Sequence, residues 1–130
     1  MSDARRKIPR KSPARRVARA LSKAPVPGLD KLVAAALDDL KAVNVKVIDV
    51  RKLSDIFDTL VIASGNSDRH VRSMADSVVQ KAKGAGFRPL GVEGQTTGDW
   101  VLVDLGDVVV HVMLPRVREF YSLEKLWTVS

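Results

Sequence analysis

Asp107, Val109 and His111 alternate along a Val-rich run, which puts a carboxylate and an imidazole on one face of a strand. Such a pair is half of an acid/base or metal site. Same-face neighbours on a strand are about 7 Å apart, so Asp107 and His111 stand roughly 13 Å from each other, too far to share one small ion. A buried, hydrogen-bonded core histidine is the expectation for His111. The junction Ser64-Gly65-Asn66-Ser67-Asp68 leaves backbone N–H groups at a helix start, where a phosphate could sit. No Gly-rich dinucleotide or P-loop pattern surrounds it and Asp68 would repel an anion, so capping by Ser67 or Asn66 is expected there. His70 falls on the polar side of the helix that follows, a surface placement. Glu93, Asp99, Asp104 and Asp107 complete the candidate carboxylates, but no two occupy adjacent same-face positions of one strand, as a two-metal site requires. The chain has no cysteine, which excludes a disulfide, a thiolate metal site and a cysteine nucleophile. Neither catalysis nor a cofactor nor a metal is expected.

The elements that position these residues follow from periodicity. Pro25-Val26-Pro27-Gly28 is a hinge, after which Leu29, Leu32, Val33, Ala36, Leu37 and Leu40 keep the spacing of one helical face. Val45 to Val50 is β-branched, and Leu60-Val61-Ile62-Ala63 is a short apolar run suited to a strand covered on both faces. Val71, Met74, Ala75, Val78, Val79 and Ala82 form a second helical stripe ending at Gly84 and Gly86. Arg88 to Val92 reads as a third strand, reached from the second by a right-handed parallel crossover. Trp100 to Leu105 and Val108 to Leu114 are two more strands, joined at Gly106-Asp107 by a tight turn. Pro115 opens a helix whose stripe is Val117, Phe120 and Tyr121, and Ser122 caps a last turn carrying Leu123, Leu126 and Trp127. The fold class is therefore α/β (α+β), with a mixed five-stranded sheet flanked by helices. No run of eighteen apolar residues exists, so no membrane helix is expected.

The formal charge of +7 changes meaning once it is divided along the chain. Residues 1–27 hold nine of the 22 Lys and Arg and one of the 15 acids, a net of +8; residues 28–130 hold the other thirteen and fourteen, a net of −1. Two parts are expected: a basic arm and hinge, 1–28, with too little apolar surface to fold alone, and a folded domain, 29–130. Arg5, Arg6, Lys7, Arg10, Lys11, Arg15, Arg16 and Arg19 are the arm's candidate phosphate contacts to RNA; the alternative is a solubilising arm. An Arg-rich, acid-poor N-terminus also suits a mitochondrial transit peptide, although Pro9 and Pro13 interrupt the helix such peptides form.

No Lys or Arg lies between Arg88 and Arg116, while Glu93, Asp99, Asp104 and Asp107 all do. Two or three of these acids around Trp100 and the Leu105-Gly106-Asp107 turn would make an apolar centre with an acidic rim, a surface for a cationic protein. Against this stands an indole that opens its strand and packs inward, and the sequence leaves both open.

Four ordered blocks carry a resemblance: Leu60-Val61-Ile62-Ala63-Ser64-Gly65-Asn66-Ser67-Asp68-Arg69-His70-Val71; Gly91-Val92-Glu93-Gly94; Trp100-Val101-Leu102-Val103-Asp104-Leu105-Gly106-Asp107-Val108-Val109-Val110-His111-Val112; and Arg118-Glu119-Phe120-Tyr121-Ser122-Leu123-Glu124-Lys125-Leu126-Trp127. Over residues 29–127 the chain resembles the Iojap family of ribosomal silencing factors. The resemblance implies a cytoplasmic bacterial protein, often a homodimer when free, that has no membrane association. It would bind the large ribosomal subunit through that subunit's fourteenth universal protein and block subunit joining, repressing translation, with a further part in large-subunit biogenesis. It implies a contact surface of Trp100, Asp104, Leu105, Gly106, Asp107 and Val108, to which the charge argument adds Glu93. Thr59 departs from the aromatic many relatives carry, and the basic arm lies outside the family core.

The family's topology is similar to that of nucleotidyltransferases, which supplies an alternative: an unusual nucleotide-binding enzyme of that fold. Those enzymes hold two metals with an Asp-apolar-Asp pair after a Gly-Ser turn. The matching strands here read Val103-Asp104-Leu105-Gly106 and Asp107-Val108-Val109, and the second carboxylate is missing.

Overall fold

A computed structural model describes residues 28–127 of the chain. Gly28 enters α1 (Leu29–Asp39) in the left-handed region at φ 79°, a conformation that suits glycine. Leu29, Val33, Ala36 and Leu37 bury the predicted stripe. β1 (Val43–Asp49) and β2 (Thr59–Ser64) pair antiparallel, with a register shift between Val43 and Lys46 where Asn44 takes φ 50°. α2 (Asp68–Gly84) buries Val71, Met74, Ala75, Val78 and Ala82, and Ser67 is its cap, its Oγ accepting from His70 N–H at 3.1 Å. β3 (Gly91–Glu93) is shorter than the Arg88 to Val92 expectation, with Pro89 lacking the N–H a ladder needs. β4 (Trp100–Asp104) and β5 (Val108–Met113) form the predicted antiparallel hairpin. α3 (Pro115–Tyr121) begins with Pro115 in its first turn, and α4 (Leu123–Trp127) ends the described chain.

The five strands order as β1-β2-β5-β4-β3. β2 and β5 are parallel and the other three pairs antiparallel, so β3 runs in the direction of β2 but lies two strands beyond its neighbour position. β5 takes the centre because all six of its residues are buried, and only an apolar strand tolerates cover on both faces.

One face carries Val61, Ala63, Val101, Val103, Val110 and Val112 against the stripes of α1 and α2. The other carries Leu60, Ile62, Trp100, Leu102, Val109 and Met113, covered by Val50, Ile56 and Phe57 of the β1–β2 loop and by Leu123 of α4.

The predicted C-terminal stripe is corrected. Phe120 is 80% and Leu126 72% exposed, while Arg118 is buried in their stead. Ser122 at φ 48° breaks the helical phase between α3 and α4, so residues that share a stripe on one continuous helix diverge here. Its hydroxyl donates back to Glu119 O at 3.0 Å, while its backbone carbonyl accepts from Lys125 N–H at 3.0 Å. Arg118 Nη1 donates to Ser64 Oγ at 2.9 Å and its Nε to Glu124 Oε1 at 3.1 Å, which fastens both short helices to the end of β2.

Candidate functional site

The β4–β5 turn is fixed from three directions. Within it, Leu105 N–H donates to Val108 O at 2.9 Å, and Gly106 holds φ 89°, a first turn position that demands a residue tolerant of positive φ. Asp104 folds over the turn, its Oδ1 accepting from Gly106 N–H at 2.9 Å. Asp58 N–H, at the end of the β1–β2 loop, and Thr59 N–H, at the start of β2, both donate to Asp107 O, at 2.8 and 3.0 Å. From the β3 side, Leu90 N–H donates to Asp104 O at 2.8 Å. Leu105 and Val108 are buried and plug the turn into the core beneath α1 and α2. What reaches solvent is Gly106 and the half-exposed Asp107.

Glu93 is exposed on β3, where it pairs with Leu102, two residues along the edge from the Gly91–Asp104 pair. Asp99 lies at the other end of β4, beside Asn66, Ser67, Thr97 and Arg116 around a shallow cleft. The structure thus gathers Asp104, Leu105, Gly106, Asp107 and Val108 at the closed end of the hairpin and places Trp100 four positions along β4 from Asp104, about 13 Å away.

Of the two placements the sequence leaves open for Trp100, the structure has the inward one, against the outward contact that the resemblance implies. The residue is only 7% exposed, its Nε1–H donates to His111 Nδ1 at 2.9 Å, and its ring lies 4.9 Å from that of Tyr121, tilted at 49°. With its one polar atom satisfied inside, the indole gains apolar burial at no cost in lost hydrogen bonding. His111 is the buried core histidine that its setting predicts, and burial pushes its pKa down to about 3. Nδ1 accepts the indole proton, so the neutral ring carries its own proton on Nε2.

His70 also differs from its expected surface placement. It is half-buried, its Nδ1 accepting from Asn66 N–H at 2.9 Å and its Nε2 lying 2.6 Å from Leu40 O. One imidazole thereby ties the strand-to-helix junction to the end of α1.

Leu90 is the residue that sequence reasoning missed. It is 56% exposed, and a Cβ built on Gly106 would stand 3.6 Å from its Cδ1, so an apolar side chain does lie beside the acidic turn. The available signal was a leucine stranded between Pro89 and Gly91, outside any alternating run.

Over residues 23–130 the chain matches the model of a family described as ribosomal silencing factor during starvation. The chain belongs to this family of ribosomal silencing factors. Ribosomal silencing factor RsfS of Chromobacterium violaceum is 48% identical over 99 residues, which are 76% of this chain and 81% of that protein. A crystal structure of a Chromobacterium violaceum protein superposes with a TM-score of 0.78 at 44% identity, covering 82% of this chain and 92% of the other. A mouse relative, mitochondrial assembly of ribosomal large subunit protein 1, is 39% identical over 104 residues, 78% of this chain and 45% of that protein. The mixed five-stranded sheet is accordingly that of a ribosomal silencing factor. No helix among the described residues is long and apolar enough to cross a membrane.

Proposed function

We propose that this ribosomal silencing factor acts in the bacterial cytoplasm, where it docks on the large ribosomal subunit through its fourteenth universal protein and represses translation by holding the small subunit away. The observation that carries the reading is the rigid acidic turn at Asp104–Asp107 beside exposed Leu90, on a stretch with no Lys or Arg from residue 89 to residue 115. An apolar contact flanked by carboxylates suits a cationic protein surface and repels RNA phosphate.

In this reading Glu93, Gly106 and Asp107 present the surface with Leu90, while Asp104, Leu105 and Val108 hold the turn in shape. Trp100 supports β4 from within and is no anchor. A turn held by backbone hydrogen bonds on both flanks loses little freedom on binding, which favours affinity.

The obstruction is steric. About 100 residues fold to a radius of gyration near 13 Å, a body roughly 30 Å across, which no close contact between subunits admits. The name of the mouse relative supports a second duty, guarding a maturing large subunit by the same occlusion. The arm would add RNA contact through its cations, and the free protein would form a homodimer.

The test is sedimentation of purified ribosomal subunits through sucrose with and without the protein. It should travel with the large particle and deplete intact ribosomes. Sedimentation with the small subunit, or undiminished ribosomes at saturating protein, would refute the reading.

A further inference from the structure

Among the described residues Phe120 is the most exposed large apolar side chain, at 80%, and it belongs to neither core cluster. Its support is nonetheless rigid. The ring lies 5.0 Å from that of Tyr121 at an interplanar angle of 89°, Tyr121 lies 4.9 Å from buried Trp100, and Arg118 fastens the same helix to Ser64 at the end of β2. An aromatic surface is thus held open to water on a fixed mount.

Arg116 lies one turn earlier on the same face of α3, four positions from Phe120. It is exposed, and among the described residues neither it nor the exposed Lys125 of α4 has an ion-pair partner. Asp68 and Asp99 border the same cleft as Arg116, but Arg72 pairs with the first at 3.5 Å and the Thr97 hydroxyl donates to the second at 2.9 Å. Lys46, Arg116, Arg118 and Lys125 against Glu119 and Glu124 give this corner a charge of +2, in a domain, residues 28–130, whose net charge is −1. α3 also starts at the far end of β5 from the acidic turn, about 20 Å away.

Even with Leu126, 72% exposed on α4, the apolar surface is on the order of 300 Å², against about 800 Å² a side in a stable protein complex. A nucleic-acid base needs only one flat face. We propose that Phe120 is a stacking platform for one unpaired base of RNA, with Arg116 and Lys125 on the flanking phosphates. Glu119, exposed beside Phe120, repels a phosphate but accepts from a ribose 2′-hydroxyl, which favours RNA over DNA. One base and two cations bind weakly alone, so the contact gains most once the domain is already held on the ribosome. That consequence rests on the proposed function; the site does not.

The test is an NMR titration of the isotope-labelled full-length protein with a heptamer of uridylate, in about 0.3 M salt so that the arm's long-range attraction is screened. Amide shifts should centre on residues 116–121 and saturate. Phe120→Ala should weaken binding by about tenfold and Phe120→Trp should restore it, since the base needs the flat platform. Both variants should keep the fold, because the side chain is already in water. Arg116→Ala should weaken binding and flatten its salt dependence. Shifts confined to residues 1–27, wild-type affinity in Phe120→Ala, or equal affinity for a heptamer of deoxyuridylate would each overturn the proposal. No ribosome enters this titration, so its failure is separable from failure of the sedimentation test.

Discussion

Trp100 Nε1 and His111 Nδ1 lie 2.9 Å apart across the β4–β5 ladder, a hydrogen bond between two buried side chains that are diagonal neighbours on one face of the sheet. Each residue explains the other: the indole needs an acceptor inside, and the imidazole must stay neutral to be one.

Replacing His111 with Leu leaves the indole N–H without its partner, at a cost of about 1–3 kcal/mol. Trp100→Phe removes the donor and opens some space. In the double variant neither orphan remains, so the two losses should fall short of additivity by about 0.5–3 kcal/mol. Urea denaturation of the four proteins measures this, and strict additivity would show that the bond contributes nothing.

The same pair predicts acid sensitivity. His111 titrates near 3 when folded and near 6.5 when unfolded, so below 6.5 the unfolded chain binds the extra proton. Its contribution is complete above about pH 6.5 and is lost as pH falls toward 3, roughly 2 kcal/mol of it by about pH 5. Protonation would also set an Nδ1–H against the indole N–H. Stability measured across this range should fall steeply in the parent and more gently in His111→Leu.

Arg118 joins Ser64 to Glu124 across the base of α3 and α4. Desolvation raises the Glu124 pKa, but the Arg118 hydrogen bond and charge outweigh it, with Lys46 adding at 3.8 Å, and hold it below its ordinary value. Arg118→Ala strands a partly buried carboxylate and should cost about 2–4 kcal/mol. Hydrogen exchange should accelerate first in residues 115–127, ahead of the sheet; uniform acceleration would contradict a local fastening role.

On the proposed ribosomal surface, Asp107→Lys should weaken binding to large subunits by about tenfold, near 1.4 kcal/mol. Leu90→Asp should do the same while altering stability by under about 0.5 kcal/mol, since the side chain is already in water. Quantitative co-sedimentation gives both numbers. Wild-type affinity in both variants would remove this turn from the interface.

The local features of this protein were legible in its sequence. The stripes of α1 and α2, the doubly covered β2, the Gly106-Asp107 turn and the Ser67 cap all depend on residues a few positions apart, whose periodicity and conformational preferences act on neighbours. So did the family, because four ordered blocks preserve those local patterns in fixed sequence order. Tertiary structure alone decided which way Trp100 faces, since that depends on an acceptor eleven residues away and on Tyr121 from a different element. It decided the placement of β5 between β2 and β4, a competition between distant strands for the most buried position. It also brought Leu90 against Gly106, because side chains far apart in the chain meet only once the sheet has closed its order.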